Sequence, residues 1–211
     1  MTVKDTTMIT KALIEYDRAF GGVVGGADEA GRGPLAGPVV CAAVIMPLDE
    51  MIQGIRDSKK VSEKAREYLY DIIIERAAEY RIVVIEPRVI DTINILRASI
   101  EGMRQAIDKL SHPTDIMLVD GNAKVAAGRI TESVVRGDGT SYNIAAASIL
   151  AKVTRDRIMR NYDIEYPGYG FGSHKGYPTK AHYKVIDNLG ISDIHRRSFL
   201  TKRIADMPYT D

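Results

Sequence analysis

Two adjacent carboxylates, Asp28 and Glu29, stand where the short apolar run Val23-Val24 gives way to a glycine-rich stretch, Gly25-Gly26-Ala27-Asp28-Glu29-Ala30-Gly31-Arg32-Gly33-Pro34. Like charges this close oppose each other's ionisation unless a cation neutralises them. The same design recurs twice: Val119-Asp120-Gly121 and Arg136-Gly137-Asp138 each join an acid and a glycine to the end of an apolar run. Acids at neighbouring strand ends can converge although they are far apart in the chain. Four carboxylates with no Cys or His beside them form a hard-oxygen donor set, which suits Mg²⁺ or Mn²⁺ better than zinc. Two such ions about 4 Å apart can activate a water and stabilise the leaving oxygen in phosphoryl transfer. Each acid alone reads equally well as a solvated turn residue. The threefold recurrence sets the metal reading level with that one.

The elements that carry these acids constrain how they meet. Neighbouring side chains on a strand point to opposite faces. If Asp28 and Glu29 serve one site, the strand is therefore expected to bend or end near Glu29, at Ala30-Gly31. Gly31 and Gly33 allow close approach to a ligand, and Arg32 adds a planar donor fork suited to phosphate or carboxylate. Residues 23–28 and 39–46 read as buried strands, paired antiparallel through a short link. Further strands are predicted over 81–86, 115–119 and 130–135. Helices are predicted over 9–20, ended by Gly21-Gly22, after the Ser62 cap with Leu69, Ile72, Ile73 and Ala77 inward, and over 143–159 and 180–189. One more helix is predicted over 89–110, with Ile93, Leu96, Ile100, Met103 and Ile107 at helical spacing. Asp57-Ser58-Lys59-Lys60 is a polar loop, and residues 166–178 form a glycine-aromatic loop. The pattern indicates an α/β fold: a mixed sheet covered by helices.

Composition sets the outer bounds. With 211 residues, 45% hydrophobic and 27% charged, the chain suits one compact domain. The longest apolar run, 39–46, is too short to span a membrane, and residues 1–7 lack the apolar core of a signal peptide. Cys41 is the only cysteine and lies inside that run, which excludes disulfides and Cys-rich zinc sites. A cytoplasmic monomer without membrane association is expected. The net charge is +1, but residues 151–203 hold 11 Lys/Arg against 5 Asp/Glu, while residues 1–150 hold 18 against 21. A basic C-terminal part, Arg196 and Arg197 included, is expected to track phosphates.

From about Gly22 to Phe199 the chain resembles ribonuclease HII, the type 2 ribonucleases H. The resemblance lies in Gly26-Ala27-Asp28-Glu29-Ala30-Gly31-Arg32-Gly33-Pro34, Asp57-Ser58-Lys59-Lys60, Val119-Asp120-Gly121-Asn122 and Gly137-Asp138-Gly139. It extends to Ala145-Ala146-Ala147-Ser148-Ile149-Leu150-Ala151-Lys152, to Tyr169-Gly170-Phe171-Gly172-Ser173-His174-Lys175-Gly176-Tyr177-Pro178, which is closer to the bacterial form, and to His195-Arg196-Arg197-Ser198-Phe199. It implies an RNase H-like mixed sheet flanked by helices, with a helical C-terminal extension. The implied organisation is an N-terminal helical extension over residues 1–21, a catalytic part over 22–160 and a basic substrate-binding region over 161–211. No room is expected for the N-terminal platform domain of the type 3 relatives.

The implied activity is an endonuclease that hydrolyses RNA in RNA–DNA hybrids. It would also cut duplex DNA 5′ of an embedded ribonucleotide, leaving 3′-hydroxyl and 5′-phosphate ends. Its roles would be ribonucleotide removal from DNA and degradation of primer RNA. By position, Asp28, Glu29, Asp120 and Asp138 match the catalytic metal-binding acids, holding two Mn²⁺ or Mg²⁺ ions. Gly31-Arg32-Gly33 matches the loop that recognises the 2′-hydroxyl, and Tyr177 the tyrosine that stacks on the adjacent sugar. Lys59, Lys60, Ser148 and Lys152 are candidate phosphate contacts. Asp156 reads as a supporting acid rather than a ligand. His174, His182 and His195 read as surface or substrate-facing. A catalytically silent nucleic-acid-binding module is the alternative, and it would be expected to have lost one of the four acids.

Overall fold

The apolar run at 39–46 becomes the second strand of a five-stranded sheet. In a computed structural model that describes residues 3–201, β2 (Val39–Ile45) is buried at every position because helices cover both sheet faces. It pairs antiparallel with β1 (Val24–Ala30) and with β3 (Glu79–Ile85). On its other side β1 pairs parallel with β4 (Ile116–Asp120), which pairs parallel with β5 (Thr131–Val134). The strand order is β3-β2-β1-β4-β5. Residues 202–211 of the expected C-terminal region, Lys202 and Arg203 among them, lie outside the described residues.

α1 (Val3–Arg18) sends Leu13 and Ile14 into the core beneath β2. α2 (Glu63–Arg76) begins at Ser62, whose hydroxyl accepts from the Ala65 amide as expected of an N-cap. Leu69 and Ile73 are buried, whereas Ile72 is only partly covered.

The helix expected over 89–110 is instead two. α3 (Pro87–Ile93) starts on Pro87, which fits a first helical turn because that turn needs no amide donor. Asn94 then takes φ +66° and its side chain accepts from the Arg97 amide, ending one helix and capping the next. α4 (Ile95–Asp108) buries Ala98, Ser99, Gly102, Met103, Ala106 and Ile107 against the sheet. The break shifts the helical phase, so Leu96 lies 47% exposed rather than inward.

The opposite face belongs to α5 (Tyr142–Glu165), longer than expected, whose alanines pack on β1 and β2. A short α6 (Phe171–His174) interrupts the glycine-aromatic loop, and α7 (Lys180–Leu189) follows, capped by the Thr179 hydroxyl on the His182 amide. One polar link joins three of these layers. The Asn143 side chain accepts from the Met46 amide at 2.7 Å, while Asp17 of α1 accepts from both nitrogens of Asn143 at 2.8 and 2.9 Å.

Candidate active site

Parallel pairing of β1 and β4 runs to Ala27 and Val119, so Asp28 and Asp120 stand one step further on, at the same level of adjacent strands. Asp28 faces α5, where the Ser148 side chain bonds to it, and Ser148 in turn lies 2.8 Å from the Ser58 hydroxyl. Asp138 arrives from the turn after β5. That turn is fixed by the Gly137 amide, which donates to Asp120 at 2.6 Å.

As expected, β1 ends just past Glu29: it stays paired with β2 through Ala30, and Gly31 follows at φ +102°. β4 stops at Asp120, two residues short of β1 in register. Beyond that end no strand separates the two sheet faces on the β4 side, and Glu29 joins Asp28 in lining one groove.

Three of the four carboxylates are shifted by their neighbours. Burial first, then Glu29 and Asp120, push the Asp28 carboxyl well above the usual carboxylate range. Burial and Asp120 raise Glu29 against the opposing pull of Arg32, and burial and Asp138 raise Asp120. Among the described residues, no three carboxylates, imidazoles or thiols form a closed cage. Instead Lys59 sits 3.2 Å from Asp138, Arg32 3.5 Å from Glu29, and the Gly137 amide on Asp120. The donor set is nonetheless all oxygen, crowded and under-neutralised at Asp28. A hard divalent cation fits that environment.

Beside the acids, Gly31, Arg32 and Gly33 line a groove of about 260 Å³ together with Lys59, Ser148, Lys152 and Tyr177. This loop is held by two arginines that sequence reasoning did not place here. Arg196 was expected on the nucleic-acid surface, but it is completely buried. Its guanidinium donates to the carbonyls of Gly31 at 2.6 Å, Arg32 at 3.0 Å, Gly37 at 2.9 Å and Pro38 at 3.1 Å. Arg155, also fully buried, donates to Ala36, Pro38 and Lys175 carbonyls. Carbonyls from several residues of one turn are well matched by such planar, multidentate donors. Arg197 remains exposed, as expected.

Gly31 has φ +102°, and a Cβ there would lie 2.2 Å from Arg155 Nε. At Gly33 a Cβ would meet only Tyr177, at 3.9 Å. Gly31→Ala is therefore expected to cost about 2 kcal/mol or more of stability. Gly33→Val should melt like the wild type and lose cleavage, because the added methyls obstruct substrate alone. Melting and cleavage measured in parallel check this; an unchanged melting temperature for Gly31→Ala would refute the strain.

The remaining candidates divide. Lys152 lines the groove but is engaged with Asp156 at 2.6 Å. Asp156 also faces Arg66 at 3.9 Å, and the acid supports its neighbours as expected. Lys60 lies outside that groove, in an adjoining one with Asp57, Lys59, Arg136 and Thr140, and is 3.6 Å from Asp57. Tyr177 is 39% exposed beside Gly33. Two of the histidines are not at the surface: His182 and His195 are buried and bonded to each other at 3.1 Å, and the half-buried His174 stacks on His182. Their packing around Phe171 could not be read from spacing.

A mixed five-stranded sheet with acids at adjacent strand ends, flanked by α4 and α5, defines an RNase H-like fold. A solved ribonuclease H2 from Pyrococcus horikoshii OT3 superposes with a TM-score of 0.72 at 26% identity, covering 86% of this chain and 96% of that one. The RNase HII in the PCNA complex from Archaeoglobus fulgidus gives 0.73 at 23% identity, covering 88% and 98%. The family model for ribonuclease HII matches residues 25–202, and the chain belongs to the ribonuclease HII family. Ribonuclease HII of Clostridioides difficile (strain 630) is 50% identical over 88% of this chain and 72% of its own length. That of Francisella tularensis subsp. novicida is 50% identical over 84% and 96%. The protein is thus a ribonuclease H endonuclease, acting on RNA–DNA hybrids.

Proposed function

We propose that the groove also nicks duplex DNA on the 5′ side of a single embedded ribonucleotide, leaving 3′-hydroxyl and 5′-phosphate ends. Asp28, Glu29, Asp120 and Asp138 would hold two Mg²⁺ or Mn²⁺ ions, which fits their crowded, all-oxygen character. Bound there, such ions supply a nucleophilic water at neutral pH and charge stabilisation on the phosphate. The observation that carries this reading is that Asp28, Glu29, Gly31-Arg32-Gly33 and Tyr177 line one groove.

The chain's own residues do the rest. Ser148 orients Asp28, and Arg155 and Arg196 hold the Gly31-Arg32-Gly33 backbone so that its polar groups can meet a 2′-hydroxyl. A rigid backbone reader penalises deoxyribose because its own groups then go unpaired. Tyr177 packs on the neighbouring sugar. Lys59, Lys60 and Lys152 offer charge to phosphates, and release of counterions makes that grip salt-dependent. The implied role is removal of ribonucleotides from DNA and of primer RNA, by a cytoplasmic monomer.

The test is a DNA duplex with one ribonucleotide, incubated with Mg²⁺, Mn²⁺ or chelator, and the cut mapped. One cut 5′ of the ribose, lost with chelator, is expected. Cleavage confined to continuous hybrids would refute single-ribonucleotide incision, and cutting in chelator would refute metal dependence.

A further inference from the structure

Two buried histidines that the cleavage chemistry does not use, His182 and His195, form hydrogen bonds that end on the Tyr177 backbone, with the half-buried His174 beside them. The Ser192 amide donates to His195 Nδ1 at 2.9 Å, so this nitrogen accepts and a neutral His195 carries its proton on Nε2. Ser192 Oγ lies 2.9 Å from the same nitrogen. His195 Nε2 faces His182 Nε2 at 3.1 Å. With His195 donating, His182 accepts there and its own proton lies on Nδ1. That nitrogen donates to the Tyr177 carbonyl at 3.0 Å.

His174 supports the chain from the side. Its Nδ1 accepts from the Gly176 amide at 3.1 Å, so its Nε2 donates to the Tyr169 carbonyl at 2.8 Å. Its ring stacks 4.2 Å from that of His182. Every ring nitrogen in the cluster thus has one assigned role, and none is left to bind a metal or move a proton. Phe171 and Tyr169 close around the rings. Burial lowers His182 and His195 to about 4, which keeps both neutral near pH 7.

We propose that His182, its tautomer set through His195 and Ser192, is a positioning residue that holds Tyr177 at the height its ring needs over the groove. The functional part rests on reading Tyr177 as the residue that packs on the sugar beside the ribonucleotide. The carbonyl it fixes belongs to the residue whose ring flanks Gly33, so a small shift of that carbonyl moves the ring relative to the loop.

Nitrogen-15 spectra of the wild-type imidazoles test the chain directly. His182 should carry its proton on Nδ1, and His195 and His174 on Nε2; the opposite tautomers at His182 and His195 would overturn the proposal without any variant. On duplex containing one ribonucleotide, His182→Leu should lower kcat by about tenfold, the loss of a buried hydrogen bond, with duplex affinity nearly unchanged. His182→Asn should recover much of the rate, because its amide nitrogen can replace the Nδ1 donor. In a Tyr177→Ala background, His182→Leu should add little. Wild-type rates for folded His182→Leu alongside a loss for Tyr177→Ala would overturn the positioning role and leave the sugar contact standing. Wild-type rates for Tyr177→Ala would overturn the sugar contact and, with it, the function assigned to His182.

Discussion

Asp120→Asn is expected to lower cleavage by on the order of a thousandfold, the scale of losing one preorganised charge-stabilising group, while the fold stays intact. The substitution keeps an oxygen for the Gly137 amide, so the turn that presents Asp138 is preserved. Without metal, the variant should melt a few degrees higher, as expected for relief of roughly 1 kcal/mol in a chain this long. Burial and Asp138 raise the Asp120 carboxyl, which means that the charged form is the disfavoured one. Metal-free wild type should therefore gain stability as pH falls through that raised value, and the gain should be complete below the ordinary carboxylate range. The variant lacks this part of the gain. Mn²⁺ should raise the melting temperature of the wild type more than that of the variant, since an ion that binds only the folded state stabilises it. Cleavage by Asp120→Asn at the wild-type rate would remove Asp120 from the metal-binding set.

Arg196→Met should be the most destabilising change in the groove, at about 3–5 kcal/mol, because it leaves the buried carbonyls of Gly31, Gly37 and Pro38 without their charged donor. The native guanidinium is pushed down to about 9 by burial and by neighbouring Arg155, so it remains charged at neutral pH. Arg196→Lys should rescue little, since an ammonium cannot span carbonyls from four residues as a planar fork does. Arg197→Ala should change stability by less than about 0.5 kcal/mol, as is usual for an exposed side chain. Denaturant unfolding of the three variants checks this order. A wild-type midpoint for Arg196→Met would show that the loop does not depend on its clamp.

These expectations show which features were legible from sequence. β2 and the Ser62 cap were visible because their signals are local: an apolar run between prolines and a hydroxyl before a helix. The four acids were visible because strand ends followed by glycine recur. The Asn94 break is invisible in the sequence because helical spacing of apolar residues continues across it, while a single residue with positive φ resets the phase. Glu29 reaches the site through the unequal lengths of β1 and β4, and only pairing reveals that difference. Arg196 looked like a solvated charge because the carbonyls it binds come from residues 31–38, on the far side of the chain. The histidines likewise depend on partners brought together by the fold.

The Asp17–Asn143–Met46 link bears on how the molecule comes apart. The end of α1 is tied by buried hydrogen bonds to Asn143 in the first turn of α5, which in turn binds the Met46 amide just past β2, so that end cannot fray without exposing the start of the helix that carries Ser148 and Lys152. In native-state hydrogen exchange, the protected amides of α1 and those at the start of α5 should open together with a single free energy, as one cooperative unit. A protease that cuts within α1 would then act only on molecules in which the floor of the groove has also opened.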